Sequence, residues 1–217
     1  MPALRNILVA VKPGSADAHP LEGARALATR ARARLTVLNV PAGAIPAIEI
    51  AREAESRGVD LIVLGRDLPP PQTNRGTTVE GTVRRARVPC LLLPRGPVAF
   101  HRVLAAVDGG ADSHDVVGAA LLVGGVFDAS VRSVRVEEPV LAGMGVSAGH
   151  ASGGAIDTIA RQGDPVSEIL QVARDEGADL LVLGHHRGGP VSTHATSGVP
   201  ARLLQRAPCA VLTVPVS

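Results

Sequence analysis

The stretch that decides the fold occurs twice: Val-Asp-Leu-Ile-Val-Leu-Gly at residues 59–65 and Ala-Asp-Leu-Leu-Val-Leu-Gly at residues 178–184. Each copy is followed by a loop rich in Gly, Pro, Ser or Thr, then by a basic helix-like segment and an apolar run that begins with Pro-Cys. Each copy is preceded by a strand-like segment, at residues 5–11 and 101–107. Because three landmarks recur in the same order, the chain contains an internal duplication.

The length of 217 residues fits one large domain or two small ones, and the duplication favours two. We place the first domain at residues 1–97 and the second at residues 98–217, with the seam near residues 95–100. Hydrophobic residues make up 46% of the chain and charged residues 19%, a composition typical of globular proteins rather than disordered ones.

Composition also argues against several partners. The net charge is only +2, Trp and Tyr are absent and Phe occurs twice, so the chain lacks both the charge and the stacking platforms of a nucleic-acid-binding protein. Arg84, Arg85 and Arg87 form a basic cluster that we interpret as a solvated helix face.

No apolar run approaches the ~18 residues of a membrane span, and the N-terminus has no signal-peptide pattern. Cys90 and Cys209, at matched strand starts, are interpreted as small buried hydrophobes, and a reducing cytoplasmic location fits them.

Strands and helices are predicted to alternate, which favours a parallel sheet with helices on both faces. Continuous apolar runs such as residues 61–64 are typical of strands buried on both sides. In the second half, Asp164 and Pro165 are the expected N-cap and first residue of a helix that ends at Gly177. Four apolar side chains on this helix are predicted to face the core: Val166, Ile169, Leu170 and Ala173.

The first repeat is shorter than the second. Its second strand, at residues 35–40, is followed almost at once by a helix at residues 46–57. The second repeat uses most of residues 137–162 for the corresponding connection, with a strand near residues 155–160. We therefore predict that one helix and one strand are missing from the first domain, which leaves it with a smaller sheet.

The matching segments span nearly the whole chain and resemble the universal stress protein family in its tandem two-domain form. The segments that carry the resemblance are residues 7–11, 103–109 and 163–165, the two Asp-Leu-(Ile/Leu)-Val-Leu-Gly strands, and residues 76–80 and 202–209. The resemblance implies two doubly wound parallel-sheet domains of the adenine nucleotide α-hydrolase-like α/β class, related by a pseudo-twofold axis. It also implies that the last strands of the two domains, residues 90–93 and 209–214, pair antiparallel.

The same resemblance implies a possible ligand, because one branch of the family binds ATP and another does not. Ligands of open α/β sheets bind beyond the carboxyl ends of the strands, at the switch point, and phosphates need converging backbone N–H groups. In the ATP-binding branch the loop after the fourth strand reads Gly, two residues, Gly, nine residues, Gly, then Ser or Thr. Neither repeat matches fully: the second half has Arg187 at the second Gly position, and the first half has Leu68 there and Pro at residues 69–71.

The acidic position after the first strand differs between the repeats. Asp108 is present in the second half and is able to accept hydrogen bonds from ribose hydroxyls. Lys12, the only lysine of the chain, replaces it in the first half. A lysine there would pair with a phosphate or with a carboxylate such as Asp17 or Asp67, or would simply be an exposed loop residue.

We therefore predict an adenine nucleotide site in the second domain, for ATP and possible accompanying Mg²⁺, and interpret the first domain as a degenerate partner. Ala106, Val107 and Asp108 are expected to hold adenine and ribose, and Val136 to line the adenine pocket. The residues expected to face the phosphates are Gly184, Arg187, Gly188, Thr196, Ser197 and Gly198. An arginine suits this position because its guanidinium matches phosphate oxygens.

Other hypotheses stay open at this point. Residues 108–113 nearly match the Ser-Gly-Gly-x-Asp-Ser loop of ATP pyrophosphatases, an adenylating class, although an Asp in first place would repel a pyrophosphate. His185, His186 and His194 share one region but lack the further ligands that zinc needs. No motif marks a nucleophile or a general base, so we do not predict an enzyme, although slow ATP hydrolysis is compatible with the family.

Two functions from different classes therefore remain. The first is a regulatory or sensor module for the stress response that binds adenine nucleotide and has an unknown protein partner. The second is a nucleotide-free tandem stress protein that acts through protein partners, in line with the altered Gly pattern of both loops. A monomer with intramolecular domain pairing and a homodimer are both compatible with the sequence.

Overall fold

Strands and helices alternate along the chain, as the duplicated pattern predicts. The computed structural model describes residues 3–11, 19–40, 43–66, 78–137, 156–186 and 198–216. The elements of the first half are β1 (Asn6–Val11), α1 (His19–Ala31), β2 (Arg34–Asn39), α2 (Pro46–Ser56), β3 (Leu61–Gly65), α3 (Thr78–Arg85) and β4 (Cys90–Leu93). Those of the second half are β5 (Arg102–Val107), α4 (Ser113–Phe127), β6 (Ser130–Glu137), β7 (Asp157–Gln162), α5 (Pro165–Asp175), β8 (Leu180–His186), α6 (Val199–Arg206) and β9 (Ala210–Val216).

All nine described strands form one sheet in the order β2-β1-β3-β4-β9-β8-β5-β6-β7. Every neighbouring pair is parallel except β4 and β9, which run antiparallel with Leu91 opposite Leu212. This arrangement confirms the predicted fold class, two doubly wound parallel sheets joined through their last strands. The exact boundary at residue 97 stays a prediction.

Helices cover both faces of the sheet, which explains the continuous apolar strands. α1 and α4 pack on one face, and α2, α3, α5 and α6 supply the helical part of the core on the other. Strands at the centre therefore meet apolar side chains on both sides, and Leu61, Ile62, Val63 and Leu64 are each at most 3% exposed. The sheet carries two cores, and each core runs through both halves of the chain.

The Asp of the repeated motif anchors the start of the neighbouring strand. Oδ2 of Asp60 accepts hydrogen bonds from the backbone N–H groups of Arg5 and Asn6, both at 2.8 Å. Asp179 does the same for His101 and Arg102, at 2.7 and 3.1 Å, but divides the two bonds between its oxygens. The recurrence of Asp in both motifs therefore has a structural cause, which the sequence analysis did not anticipate.

The predicted loss of one strand from the first half is confirmed. In the second half β7 pairs with β6, and Ser133 of β6 is buried with its Oγ 2.7 Å from Oγ1 of Thr158. In the first half β2 has no outer neighbour among the described strands, and Val37, which corresponds to Ser133 in register, is 43% exposed. The predicted loss of a helix concerns residues 138–155, which lie outside the described part of the chain.

The two cysteines are buried free thiols, as predicted, but their positions do not match in register. Cys90 pairs with Ile62, whereas Leu181, the counterpart of Ile62 in the repeated motif, pairs with Val211, two residues beyond Cys209. The recurring Pro-Cys pair therefore misleads the alignment of the last strands. Burial raises the pKa of the Cys90 thiol to about 12 and that of Cys209 to about 11.

The helix that begins after Asp164 also follows the prediction. Oδ2 of Asp164 accepts a hydrogen bond of 2.9 Å from the N–H of Ser167, Pro165 occupies the first turn, and Gly177 adopts a positive φ of 56° just beyond the end. The predicted core residues Val166, Ile169, Leu170 and Ala173 are all buried.

Candidate functional site

The candidate site lies where β5, β6 and β8 end at the carboxyl edge of the second sheet. β5 stands between β8 on one side and β6 on the other, so the strand order changes direction at β5. In doubly wound sheets a crevice forms at such a switch point, because the connections on the two sides leave toward opposite faces. The residues that follow β5 are therefore the first to consider.

Asp108 directly follows β5 and organises its own loop. Its Oδ1 accepts hydrogen bonds from the N–H of Gly110 at 2.8 Å and from the Oγ of Ser113 at 3.0 Å, while the N–H of Gly109 donates to Ser113 at 3.1 Å. The bond from Gly110, followed by that from Ser113, holds the pKa of the Asp108 carboxyl below its usual range. Asp108 is thus a fixed and ionised acceptor at the switch point.

This hydrogen bonding bears on the resemblance of residues 108–113 to a pyrophosphatase loop. In a pyrophosphate cradle the N–H groups of the glycines point at the ligand. Here the N–H groups of Gly109 and Gly110 already donate to side chains of the loop itself. The loop geometry therefore favours a carboxylate acceptor site over a pyrophosphate cradle.

Arg135, near the end of β6, is a residue that the sequence analysis missed. A Cβ added to Gly109 would lie 3.0 Å from the Arg135 guanidinium carbon, so the two residues are close neighbours, and the positive φ of 83° at Gly109 favours glycine there. Arg135 also pairs with Glu137 at 3.2 Å. The only signal in the sequence was its position one residue before Val136, because the contact with Gly109 depends on the register of β5 and β6.

The residues predicted to hold adenine separate onto two faces of the sheet. Ala106 and Val136 are half-buried and pack against the core on the side of α5 and α6. Val107 is half-buried against the opposite core, on the side of α4. Ala106 and Val136 therefore form an apolar wall together, whereas the side chain of Val107 does not contribute to it.

The residues predicted to face the phosphates are only partly described. Gly184 lies within β8, which continues to His186, so it is not the first residue of a loop as the sequence suggested. A side chain at Gly184 would come within 3.2 Å of Val116 in the first turn of α4. Gly198 is the N-cap residue of α6, and Arg187, Gly188, Thr196 and Ser197 lie outside the described residues.

The histidines at the end of β8 point in opposite directions, as neighbours in a strand do. His185 is buried, whereas the side chain of His186 is 66% exposed, with Nδ1 at 3.8 Å from Oδ2 of Asp112. They are therefore not placed to bind one metal ion together. The described residues contain no group of three or more potential metal ligands, and His194 lies outside them.

In the first half a side chain from α1 lies against the end of β3, the counterpart of β8. His19, the first residue of α1, lies so close to Gly65 that an added Cβ would approach its ring to 2.8 Å, and its Nε2 is 3.1 Å from the carbonyl oxygen of Leu93. In the second half the matching Gly184 faces Val116 instead. The ends of β3 and β4 are therefore bridged by an imidazole, and Lys12 lies outside the described residues.

The sheet order, with an acidic residue at the switch point, places the chain among the doubly wound α/β proteins. Comparisons with known proteins point to a more specific group within that class. Residues 137–215 match the model of the universal stress protein family. A protein of unknown function from Pseudomonas aeruginosa PAO1 is similar in structure, with a TM-score of 0.74 and 14% identity, over 98% of this chain and 93% of its own. A universal stress protein from Archaeoglobus fulgidus DSM 4304 has a TM-score of 0.71 and 14% identity, over 97% of this chain and 96% of its own.

The second half of the chain therefore matches the universal stress protein family model over residues 137–215, and the whole chain has the fold of these full-length structural relatives. No curated protein matches the sequence significantly. Among the helices of the described residues, none is both long and apolar enough to cross a bilayer.

Proposed function

We propose that the second domain binds an adenine nucleotide and that the protein is a regulatory module of the stress response without a catalytic role. The observation that carries the proposal is Asp108, an ionised carboxylate held at the switch point by Gly110 and Ser113. A nucleotide offers the ribose hydroxyls that such an acceptor binds. ATP with Mg²⁺ is the ligand we expect.

The two oxygens of Asp108 support a division of roles. Oδ1 is used by the loop, whereas Oδ2 accepts no hydrogen bond from another described residue. Oδ2 is therefore available to a ribose hydroxyl without any loss of the loop's internal bonds. The apolar wall of Ala106 and Val136 ends beside this loop and suits the base, because adenine presents mostly apolar faces.

Phosphate binding is expected at the start of α6. Gly198 is its N-cap residue and has extended φ and ψ angles of −69° and 157°. The N-terminus of a helix offers unpaired N–H groups and a partial positive charge, which favour phosphate. α6 follows β8, so its N-terminus lies toward the same sheet edge as Asp108, and the predicted residues Arg187, Gly188, Thr196 and Ser197 belong to the segment between them.

The first domain is proposed to bind no nucleotide. The His19 ring contacts Gly65 and Leu93 at the carboxyl ends of β3 and β4. The sequence supplies Lys12 where the second domain has Asp108, and an ammonium group donates hydrogen bonds but accepts none. We therefore expect one nucleotide per chain.

Isothermal titration of the purified chain with Mg²⁺ and ATP tests this proposal. We expect saturable binding at one site, and Asp108→Ala should weaken it roughly tenfold to hundredfold, because a hydrogen bond to a charged group contributes about 1.5 to 3 kcal/mol. Asp115→Ala is the matched control: it removes an exposed carboxylate from the adjoining helix and should leave affinity unchanged. Equal affinities of the two variants and the unaltered chain would contradict the role of Asp108.

A further inference from the structure

A cleft between α2 and α3 in the first half is not used by the proposed nucleotide site. It has a volume of about 430 Å³ and lies between Ile48, Ala51 and Val59 on one side and Arg85 and Val88 on the other. The two helices touch at one end, where a Cβ added to Gly81 would approach that of Ala47 to 2.8 Å. The cleft is therefore built into the packing of two described helices.

The second half provides an internal comparison, because α5 aligns with α2 without a gap from Pro165 and Pro46 onward. Leu170 stands at the position of Ala51 and is 2% exposed in the core. Ala51 has three fewer carbon atoms in its side chain and leaves that volume open. One copy of the repeat is thus filled at this point and the other is a cleft.

The rim of the cleft differs between the copies as well. Ile48 is 45% exposed where the second repeat has Ser167, and Ile45 just before the helix is 64% exposed. These are two of the four large apolar side chains that are exposed among the described residues, and they occur within one turn of each other. Adjacent exposed apolar residues beside a cleft are typical of a binding surface.

Three arginines line the cleft together with a single acidic residue. Arg87 pairs with Glu55 at 3.1 Å, and Arg52 pairs with Glu49 and Glu53 of its own helix. Arg85 donates to the carbonyl oxygen of Gly81 at 3.0 Å and makes no ion pair with a described residue. The lining therefore carries an excess of positive charge, with one guanidinium available to a carboxylate of a partner.

We propose that the cleft between α2 and α3 binds an amphipathic, acidic helix of a partner protein. A helix with apolar side chains three and four residues apart would contact Ile48 and fill the space above Ala51. A carboxylate of this helix would pair with Arg85 at the rim. The proposal is independent of nucleotide binding, because no residue of the cleft belongs to that site.

The shape and charge of the cleft argue against other ligands. A small-molecule pocket encloses most of its ligand and holds several fixed polar groups, whereas this cleft is lined by aliphatic side chains and rim arginines. A nucleic acid would meet Glu55 beside the arginines and find no aromatic side chain, because Phe100 and Phe127 pack against each other in the core.

A designed peptide tests the proposal. The probe is an acetylated and amidated helix of about three turns with Leu at every third or fourth position and Glu elsewhere, and the chain is ¹⁵N-labelled for NMR titration. We expect shifts confined to amides of α2, α3 and residues 87–88, with a Kd of roughly 100 µM. The same peptide with Lys in place of Glu should bind at least tenfold more weakly.

Variants taken from the second repeat sharpen the test. Ala51→Leu fills the cleft as Leu170 does, and Ile48→Ser copies Ser167, so each should weaken peptide binding at least fivefold. Leu121→Ser, which removes an exposed aliphatic side chain from α4, is the control for Ile48→Ser and should change nothing. Ile48→Ser keeps the test valid if Ala51→Leu fails to fold, because Ile48 is exposed.

Charge is tested within one helix. Arg85→Glu should weaken binding of the acidic peptide at least tenfold, whereas Arg84→Glu, an adjacent exposed arginine outside the cleft, should have little effect. The proposal is overturned if no shifts occur at millimolar peptide, if shifts lie elsewhere, or if the Lys peptide binds equally well. Shifts of the cleft amides on dilution of the protein alone would show that a second copy occupies the cleft, which also overturns it.

Discussion

At the scale of single residues, the repeated motif places one Asp where it holds the start of a neighbouring strand. Asp60 and Asp179 make equivalent pairs of bonds to backbone N–H groups, but with different oxygens. Asp60 uses Oδ2 for both bonds, whereas Asp179 uses one oxygen for each. This difference allows a prediction that depends on geometry rather than on charge.

We predict that Asp179→Asn destabilises the protein more than Asp60→Asn does, by about 1 kcal/mol. An asparagine keeps one acceptor oxygen, which is sufficient for the two bonds at position 60 but leaves one N–H unpaired at position 179. Urea unfolding followed by circular dichroism measures the difference, with the two Asp→Ala variants as controls that should cost similar amounts. A larger loss at position 60 would show that the assigned oxygen contacts are not the stabilising ones.

At the scale of elements, α5 shows how a short local signal fixes the start of a helix. Asp164→Ala should lower the free energy of unfolding by a measurable amount, because the N–H of Ser167 loses its acceptor at the helix N-cap. The bond from Ser167 also holds the pKa of the Asp164 carboxyl below its usual range. This contribution is therefore fully present above the ordinary carboxyl pKa and is lost as the pH falls through the lowered value of the folded state.

The measurement is urea unfolding at neutral pH and again in acid. The variant should be less stable at neutral pH, and the gap should narrow once Asp164 is protonated in the unaltered chain. Asp175→Ala, an exposed carboxylate at the other end of α5, is the control. A gap that does not depend on pH would contradict capping by the ionised carboxylate.

Most elements were predictable because their signals are local. Continuous apolar runs, Asp-Pro before a helix and Gly after it are read within a few residues, and the shortened first repeat follows from the spacing of those landmarks. The register of β4 and β9 was not predictable from the sequence, because the repeated Pro-Cys pair suggests an alignment that differs by two residues from the observed one. Short apolar strands carry little information on register, which is fixed by packing at the seam.

The candidate site was predictable only in part, for the same reason. Asp108 follows a strand directly and was read from the sequence. The contacts of Arg135 with Gly109 and of His19 with Gly65 join residues that are distant in the chain, and no local pattern marks them. Gly184 belongs to β8 because that strand continues beyond the apolar run on which the prediction rested.

At the scale of the whole molecule, the two halves are held together by more than the pairing of β4 with β9. On one face Arg30 lies over the ring of Phe127, 5.1 Å from its centroid. On the other, Gln205 donates to Glu80 at 2.8 Å. Between them the buried guanidinium of Arg66 donates hydrogen bonds to the carbonyl oxygens of Ala207 and Cys209, at 2.8 and 2.9 Å respectively.

Arg66→Met should therefore lower the free energy of unfolding by about 3 kcal/mol, because it leaves two buried carbonyl groups unsatisfied while keeping most of the side-chain volume. Arg84→Met removes an exposed arginine and is the matched control, with an expected change near zero. Urea unfolding measures both. Equal stability of Arg66→Met and the unaltered chain would show that the link between the halves does not depend on this guanidinium.

Hydrogen–deuterium exchange with and without Mg²⁺ and ATP tests most directly whether one half of the duplicated molecule binds nucleotide. With nucleotide we expect slower exchange in residues 107–113, 135–137 and 198–202. The exchange rate should not change at the matching ends of β1 and β3 in the first half. At an ATP concentration near the Kd of the unaltered chain, Asp108→Ala should greatly reduce the difference. Equal protection in both halves, or no protection in either, would contradict a single nucleotide site in the second domain.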